Sequence, residues 1–384
     1  MAIPPEIRQQ IPQVRRDNPH LTAHMSDEEI AALLQQAELT LQVPSDLPST
    51  EGMSAHECGI YGDQLLVAGR WQEAERFFLA QLEKGEREAN LDQQAKACSS
   101  LAHLCCYRGD MVQAMAFYRQ ALVQAERINN WRLIGMIYNM IGEVYRMQGD
   151  YLQAITYYNK SLEIVTGLGN EQDLAVVYGN LGIVYKNQGQ FEHAIQSYEK
   201  SLEYSIKIGI DRLTANQYGN LGVVYAQQGR YALAVEMHQK SLEICLRLGN
   251  QKTAASAYGN LGTVYQRLGN YSEAEQMYQK ALGIMQHMGD DPGAALTYGN
   301  LAVVYQKLGD VKQALAFLDK GLIILERIGD KHNAARFYYN LGLLNHQQGQ
   351  SDQARVHFQK AETLSEMVGD RQLAQMVALS LRKL

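Results

Sequence analysis

The sequence predicts an all-α solenoid of antiparallel helix pairs, and three observations predict it. The segment Tyr178-Gly179-Asn180-Leu181-Gly182 returns unchanged at Tyr218 and Tyr258, and as Tyr-Gly-Asn-Leu-Ala at Tyr298, a step of 40 residues. Looser copies begin at Tyr138 (Tyr-Asn-Met-Ile-Gly) and at Tyr338 (Tyr-Tyr-Asn-Leu-Gly). Glycine recurs at the same step from Gly69 to Gly349, with alanine five residues after each, from Ala74 to Ala354. Four residues beyond the alanine stands a large side chain, among them Phe78, Tyr118, Tyr158, Tyr198 and Phe358. A fixed period of roughly 20–50 residues marks units that cannot bury an apolar face alone and therefore stack.

The elements follow in chain order. Residues 1–52 read as an N-terminal arm and an amphipathic helix. Pro4, Pro5, Pro12 and Pro19 disfavour regular structure at the start. Ser26-Asp27-Glu28-Glu29 is a capping box, and Ile30, Leu33, Leu34, Ala37 and Leu41 follow at helical spacing until Pro44. That helix is expected to pack on the first repeat; lying in a binding groove is the alternative. Residues 53–369 hold eight 40-residue units. In the fourth, a first helix is expected over 171–188 and a second over 191–208, with Gly189 at the turn and Gly209 closing in the left-handed conformation. The closing glycine recurs at Gly169, Gly249, Gly289, Gly329 and Gly369, generally with Asn or Asp next to cap the following helix. Residues 370–384 give a last helix with Leu373, Met376, Val377 and Leu381, the cap that a repeat stack requires.

Composition narrows the function classes. A net charge of −6 lacks the basic excess of a general nucleic-acid binder. Five cysteines at irregular spacing imply no disulfide framework and fit a reducing compartment. The chain opens with no basic-then-apolar leader and contains no run of about 18 apolar residues. A soluble, cytoplasmic protein without a membrane span is expected.

Tyr178, Leu181, Gly182, Tyr185, Ala194, Tyr198 and Ser201 together spell Tyr-x-x-Leu-Gly-x-x-Tyr followed by Ala-x-x-x-Tyr. The pattern resembles the tetratricopeptide repeat, in a 40-residue form similar to that of the Partner-of-Inscuteable (LGN) group, kinesin light chains and many bacterial repeat proteins. The resemblance covers residues 53–369. It implies a right-handed superhelical solenoid whose first helices line a concave face, acting as a non-enzymatic adaptor. The carboxylate clamp of heat-shock-chaperone adaptors is not implied, because glycine occupies the matching position in units four to seven.

The first helix carries two stripes. Tyr178, Leu181, Gly182 and Tyr185 fall at i, i+3, i+4 and i+7 and read as core, with Gly182 letting the second helix approach. The opposite stripe holds Val176, Gly179, Asn180, Ile183, Lys186 and Asn187, and the resemblance places it on the concave face. Asn180, Asn220, Asn260, Asn300 and Asn340 then form a ladder. A carboxamide has donors and an acceptor, so it can pair with both the N–H and the C=O of an extended peptide. Gly179, Gly219, Gly259 and Gly299 would admit the peptide backbone, at a helix cost of about 1 kcal/mol each relative to alanine. Recent duplication would also explain the ladder, but Lys186 has drifted to Ala226, Gln266, Gln306 and His346 in register. Hydrogen bonding between repeats is the other explanation, and it stays open.

The same stripes hold Lys96, Arg146, Lys186, Arg267, Lys307 and Arg336 against Asp63 and Glu143. Cations gathered in a groove favour an acidic partner; scattered solvated charge is the alternative. No phosphate-binding glycine loop, His-Glu-x-x-His or Gly-x-Ser-x-Gly occurs. His103, Cys105 and Cys106 lack a fourth convergent zinc ligand. The expected function is an adaptor that holds an extended, acidic segment of another protein through the five asparagines with Arg146, Lys186, Arg267, Lys307 and Arg336. A self-assembling homo-oligomeric scaffold and a peptide-sensing regulator are the alternatives. No enzymatic activity, cofactor or metal is expected.

Overall fold

The computed structural model describes residues 47–384; the N-terminal arm, the Ser26 capping box and the helix after it lie outside the described residues. Among the described residues there are 17 α-helices and no strand. One compact unit runs to Ile210 and a second from Asp211 to Leu384. The first contains α1 (Ala55–Val67), α2 (Trp71–Arg87), α3 (Leu91–Arg108), α4 (Met111–Arg127), α5 (Trp131–Met147), α6 (Tyr151–Leu168), α7 (Glu171–Asn187) and α8 (Phe191–Lys207). The second contains α9 (Asp211–Gln227), α10 (Tyr231–Arg247), α11 (Gln251–Leu268), α12 (Tyr271–Met288), α13 (Asp291–Leu308), α14 (Val311–Ile328), α15 (Lys331–Gln347), α16 (Ser351–Met367) and α17 (Arg371–Leu381). Short turns make each helix antiparallel to the next, and within each unit consecutive helices pack into a solenoid of pairs.

Helix ends follow from backbone chemistry. All the glycines expected to turn or close the chain have φ between 63° and 84°. At the ends of α2 and α4 the left-handed residue is Ala89 (φ 52°) or Asn129 (φ 51°) instead. The residues after these turns cap the next helix: the Asn170 side chain accepts from the Asp173 N–H at 3.1 Å, and Asp290 and Asp330 accept from Gly293 and Asn333 at 3.0 Å. Asp110, Asp150 and Asp310 do the same for second helices. Each such cap satisfies a backbone donor that the helix itself leaves orphaned.

At the centre of each pair sits the residue four after the conserved-register alanine. Tyr118, Tyr158, Tyr198, Tyr278 and Phe358 are all at most 1% exposed. The facing glycine makes room for the ring. A Cβ on Gly182 would lie 2.5 Å from the Tyr198 ring, and one on Gly262 would lie 2.7 Å from that of Tyr278. Where Ala302 replaces the glycine, the facing residue is the smaller Leu318.

The stripe read as core is divided in the structure. Leu181 and Gly182 are buried, but Tyr178 and Tyr185 are only half-buried. Tyr178 stacks on Tyr204 with ring centroids 6.1 Å apart, and the Lys200 ammonium lies 4.9 Å above its centroid. The same lysine–tyrosine contact recurs as Lys160–Tyr138, Lys240–Tyr218, Lys280–Tyr258 and Lys360–Tyr338. Tyr138, Tyr178, Tyr218 and Tyr258 are therefore partly wet, their faces covered by the stems and charges of second-helix lysines, whereas Tyr338 is buried. No helix of the described residues is long and apolar enough to cross a membrane.

Candidate functional site

The asparagines sit one residue before the buried Leu of each first helix, so helical register fixes their direction. In the first unit the Asn180 amide is already engaged: its Nδ2 donates to Oδ1 of buried Asn139 on α5 at 2.9 Å. Arg146 is ion-paired with Glu143, which raises the guanidinium's pKa, and the Tyr158 hydroxyl donates to the same carboxylate at 2.9 Å. Lys186 is half-buried and makes no ion pair among the described residues; burial, and then the neighbouring Arg146, lower its pKa. Of the three expected groove residues in this unit, only Lys186 keeps its charge unpaired.

The second unit differs. Asn220 makes one long bond, from Nδ2 to Oε1 of Gln217 in its own helix at 3.4 Å. The Asn260, Asn300 and Asn340 carboxamides make no hydrogen bond within the described residues, and Asn300 is exposed. The reason lies 41 residues back. Asn139 receives Asn180, whereas Gly219, Gly259 and Gly299 occupy the equivalent places before Asn260, Asn300 and Asn340 and have no side chain to offer.

These glycines do not share one surrounding. A Cβ on Gly259 would meet nothing within 4 Å, and one on Gly219 would touch only the Ser241 hydroxyl at 3.5 Å. A Cβ on Gly299 would lie 2.8 Å from the Phe337 ring, so there the glycine admits the next repeat's aromatic.

Asn260 lines a slot between α9 and α11, floored by α10. One end is a cavity of about 370 Å³ bordered by Val223, Ala226, His238, Asn260 and Arg267. The other, about 360 Å³, is bordered by Gly219, Asn220, His238, Ser241 and Asn260. Asn340 lines a similar slot between α15 and α17, with Arg336 and Asp370.

Charge in these stripes is less one-sided than the sequence count. Lys96 pairs with Asp92 at 2.6 Å, and Arg336 lies 3.7 Å from Asp370. Neither aspartate belongs to the stripes counted from the sequence. Arg267 and Lys307 are exposed and make no ion pair among the described residues.

Among the described residues no group of three or more His, Cys, Asp or Glu is placed to hold a metal ion. His103 instead packs against the Tyr107 ring at a tilt of 36°, with centroids 4.8 Å apart. The residue that sequence reasoning passed over is His238. It occupies the core register where other units carry Phe, Tyr or Leu, is 1% exposed, and its buried Nδ1 has no hydrogen-bond partner among the described residues. Burial pushes its pKa down to about 4.

No curated protein matches the chain in sequence. Among solved structures it resembles a signal-transduction ATPase with a tetratricopeptide repeat sensor from Pyrococcus horikoshii (19% identity, TM-score 0.66), over 84% of this chain and 50% of that one. The chain thus spans half the length of that protein. It also resembles the apo quorum sensor NprR from B. thuringiensis (17% identity, TM-score 0.60), over 94% of this chain and 98% of that one. Aspartyl phosphate phosphatase F from Bacillus subtilis is 14% identical with a TM-score of 0.58, over 94% and 92%. At these identities the likeness is one of fold. Family models described as tetratricopeptide repeat match residues 97–130, 133–207, 180–245, 213–287 and 293–367. They match the repeat itself and do not confirm the narrower likeness to the Partner-of-Inscuteable group or kinesin light chains. With matches over more than half its length, the chain belongs to the tetratricopeptide repeat family.

Proposed function

We propose that the second unit holds an extended segment of another protein along its first helices, gripping the segment's backbone with carboxamides. Tetratricopeptide repeats are protein-interaction scaffolds, and membership in the family gives the general role. One observation carries the specific reading. Asn260, Asn300 and Asn340 recur in register, have no hydrogen-bond partner among the described residues, and follow by 41 residues glycines that offer them none. An amide so placed offers both halves of the pairing that a peptide unit needs. Exposed Arg267 and Lys307 favour an acidic segment. The five free cysteines suit a reducing, cytoplasmic setting. The sensors among the structural neighbours put peptide sensing beside scaffolding as a second proposal for the same face.

The test uses a peptide selected on the full chain from a displayed library of random 12-residue sequences. Replacing Asn260, Asn300 and Asn340 with Ala removes three pairings worth about 1 kcal/mol each, so affinity should fall on the order of 100-fold. The melting temperature should hardly move, because none of the three amides bonds within the fold. Unchanged affinity rejects the ladder.

A further inference from the structure

We infer that the slot between α9 and α11 is a subsite for one acidic side chain of the bound segment, with His238 at its floor and Arg267 at its mouth. This rests on the peptide-binding reading above and names the residue that the face selects.

The slot exists because the fifth repeat breaks a pattern the others keep. At the register of His238 stand Phe78, Tyr118, Tyr158, Tyr198, Tyr278, Leu318 and Phe358, all at most 1% exposed. In the sixth repeat the Tyr278 hydroxyl fills the space above its glycine and is held by Thr263 at 3.1 Å and Gln266 at 3.0 Å. At the first-helix positions 40 residues before those two partners, the fifth repeat has Val223 and Ala226. The shorter imidazole, these two apolar side chains and Gly219 leave the space open. His238 borders both ends of the slot, with its buried Nδ1 unpartnered among the described residues.

The groups around this space are matched to an anion. No carboxylate borders either end, and Arg267 is the one charged residue that does. Its guanidinium is exposed and makes no ion pair among the described residues. Burial keeps the imidazole neutral, with a pKa pushed down to about 4, so at neutral pH it carries one N–H to donate. A carboxylate entering the slot would accept from the imidazole N–H and the Asn260 amide while Arg267 supplies the opposite charge. Such an occupant satisfies a buried polar group that the fold leaves unsatisfied, and an apolar one does not.

The test compares selections from the same random 12-residue library on the full native chain, on His238→Tyr and on Arg267→Gln. Tyrosine at 238 reproduces Tyr198, whose hydroxyl is buried without a partner, so the fold has a precedent for it. Arg267→Gln changes an exposed side chain and decides the question alone if His238→Tyr does not fold by circular dichroism. Peptides selected on the native chain should share Asp or Glu at one register. On either variant such a peptide should lose about tenfold in affinity, and changing its acidic residue to the amide should cost about tenfold on the native chain only. Enrichment with no fixed acidic position, an aromatic residue there, or an acidic preference that survives both variants overturns the subsite and leaves peptide binding intact. No enrichment over bare support on the native chain overturns peptide binding and the subsite together.

Discussion

Ala89 and Asn129 hold left-handed backbone at φ of 52° and 51°, in the register that glycine fills from Gly169 onward. A Cβ in that conformation costs about 1–2 kcal/mol, and asparagine tolerates it better than alanine because its amide bonds locally. Both residues lie just past the ends of α2 and α4, so a substitution there leaves the helices' own bonds untouched. Ala89→Gly should raise stability by about 0.5–1 kcal/mol, part of the relief being offset by glycine's greater freedom in the unfolded chain. Asn129→Gly should change it by less. The midpoint of urea unfolding reads both, and a lower midpoint for Ala89→Gly would remove the strain argument. At the same scale, Asn180 and Asn260 show how one residue type at one register acquires two fates. Asn139 claims the first amide, while Gly219 leaves the second unclaimed.

Within a helix the same logic separates two glycines three residues apart. On α11, Gly262 faces the buried Tyr278 ring, and Gly259 faces open space. Gly262→Leu drives a side chain into a filled core and should destabilise by about 1–3 kcal/mol or more. Gly259→Ala meets nothing, removes a poor helix former, and should stabilise by up to about 1 kcal/mol. Urea midpoints of the two variants should therefore move in opposite directions; movement in the same direction would refute the packing assignment. Helix bounds, turns and caps were legible because each is written locally: α7 and α8 end within one residue of their predicted limits. The pairing of Asn180 with Asn139 was not, since it joins side chains 41 residues apart whose geometry no local pattern encodes. Tyr178 was misread as core because helical spacing reports the face and not the depth, and only the packed pair shows Lys200 over its ring. The slot at His238 left a signal that register alignment exposes, with His in place of an aromatic or leucine and Val223 and Ala226 in place of Thr263 and Gln266.

Among the described residues, three histidines whose charged forms are desolvated give stability a pH dependence whose sign is fixed. His103, His238 and His357 all have pKa values lowered by burial, His357 against the opposing pull of Asp319. Unfolded, each titrates near 6.5. Below that pH the unfolded chain binds more protons than the folded one, so stability rises with pH through the window and is lost as pH falls from about 6.5 toward 4. The aspartates raised by burial, Asp63, Asp173 and Asp319, act with the opposite sign, and the lowered Glu57 and Asp330 with the same sign. Unfolded, these carboxylates titrate at about 4.3 or below, whereas the histidines titrate near 6.5. Burial pushes the His238 pKa down to about 4, and no carboxylate borders its slot to stabilise an imidazolium, while Arg267 opposes one. Between pH 7 and 5.5 its share of the loss should be about 1 kcal/mol. The urea midpoint of the native chain should therefore fall over that interval, and that of His238→Tyr should fall by distinctly less. Equal losses in the two proteins would mean that His238 takes up its proton without leaving the fold, and that the floor of the slot is wetter than its burial implies.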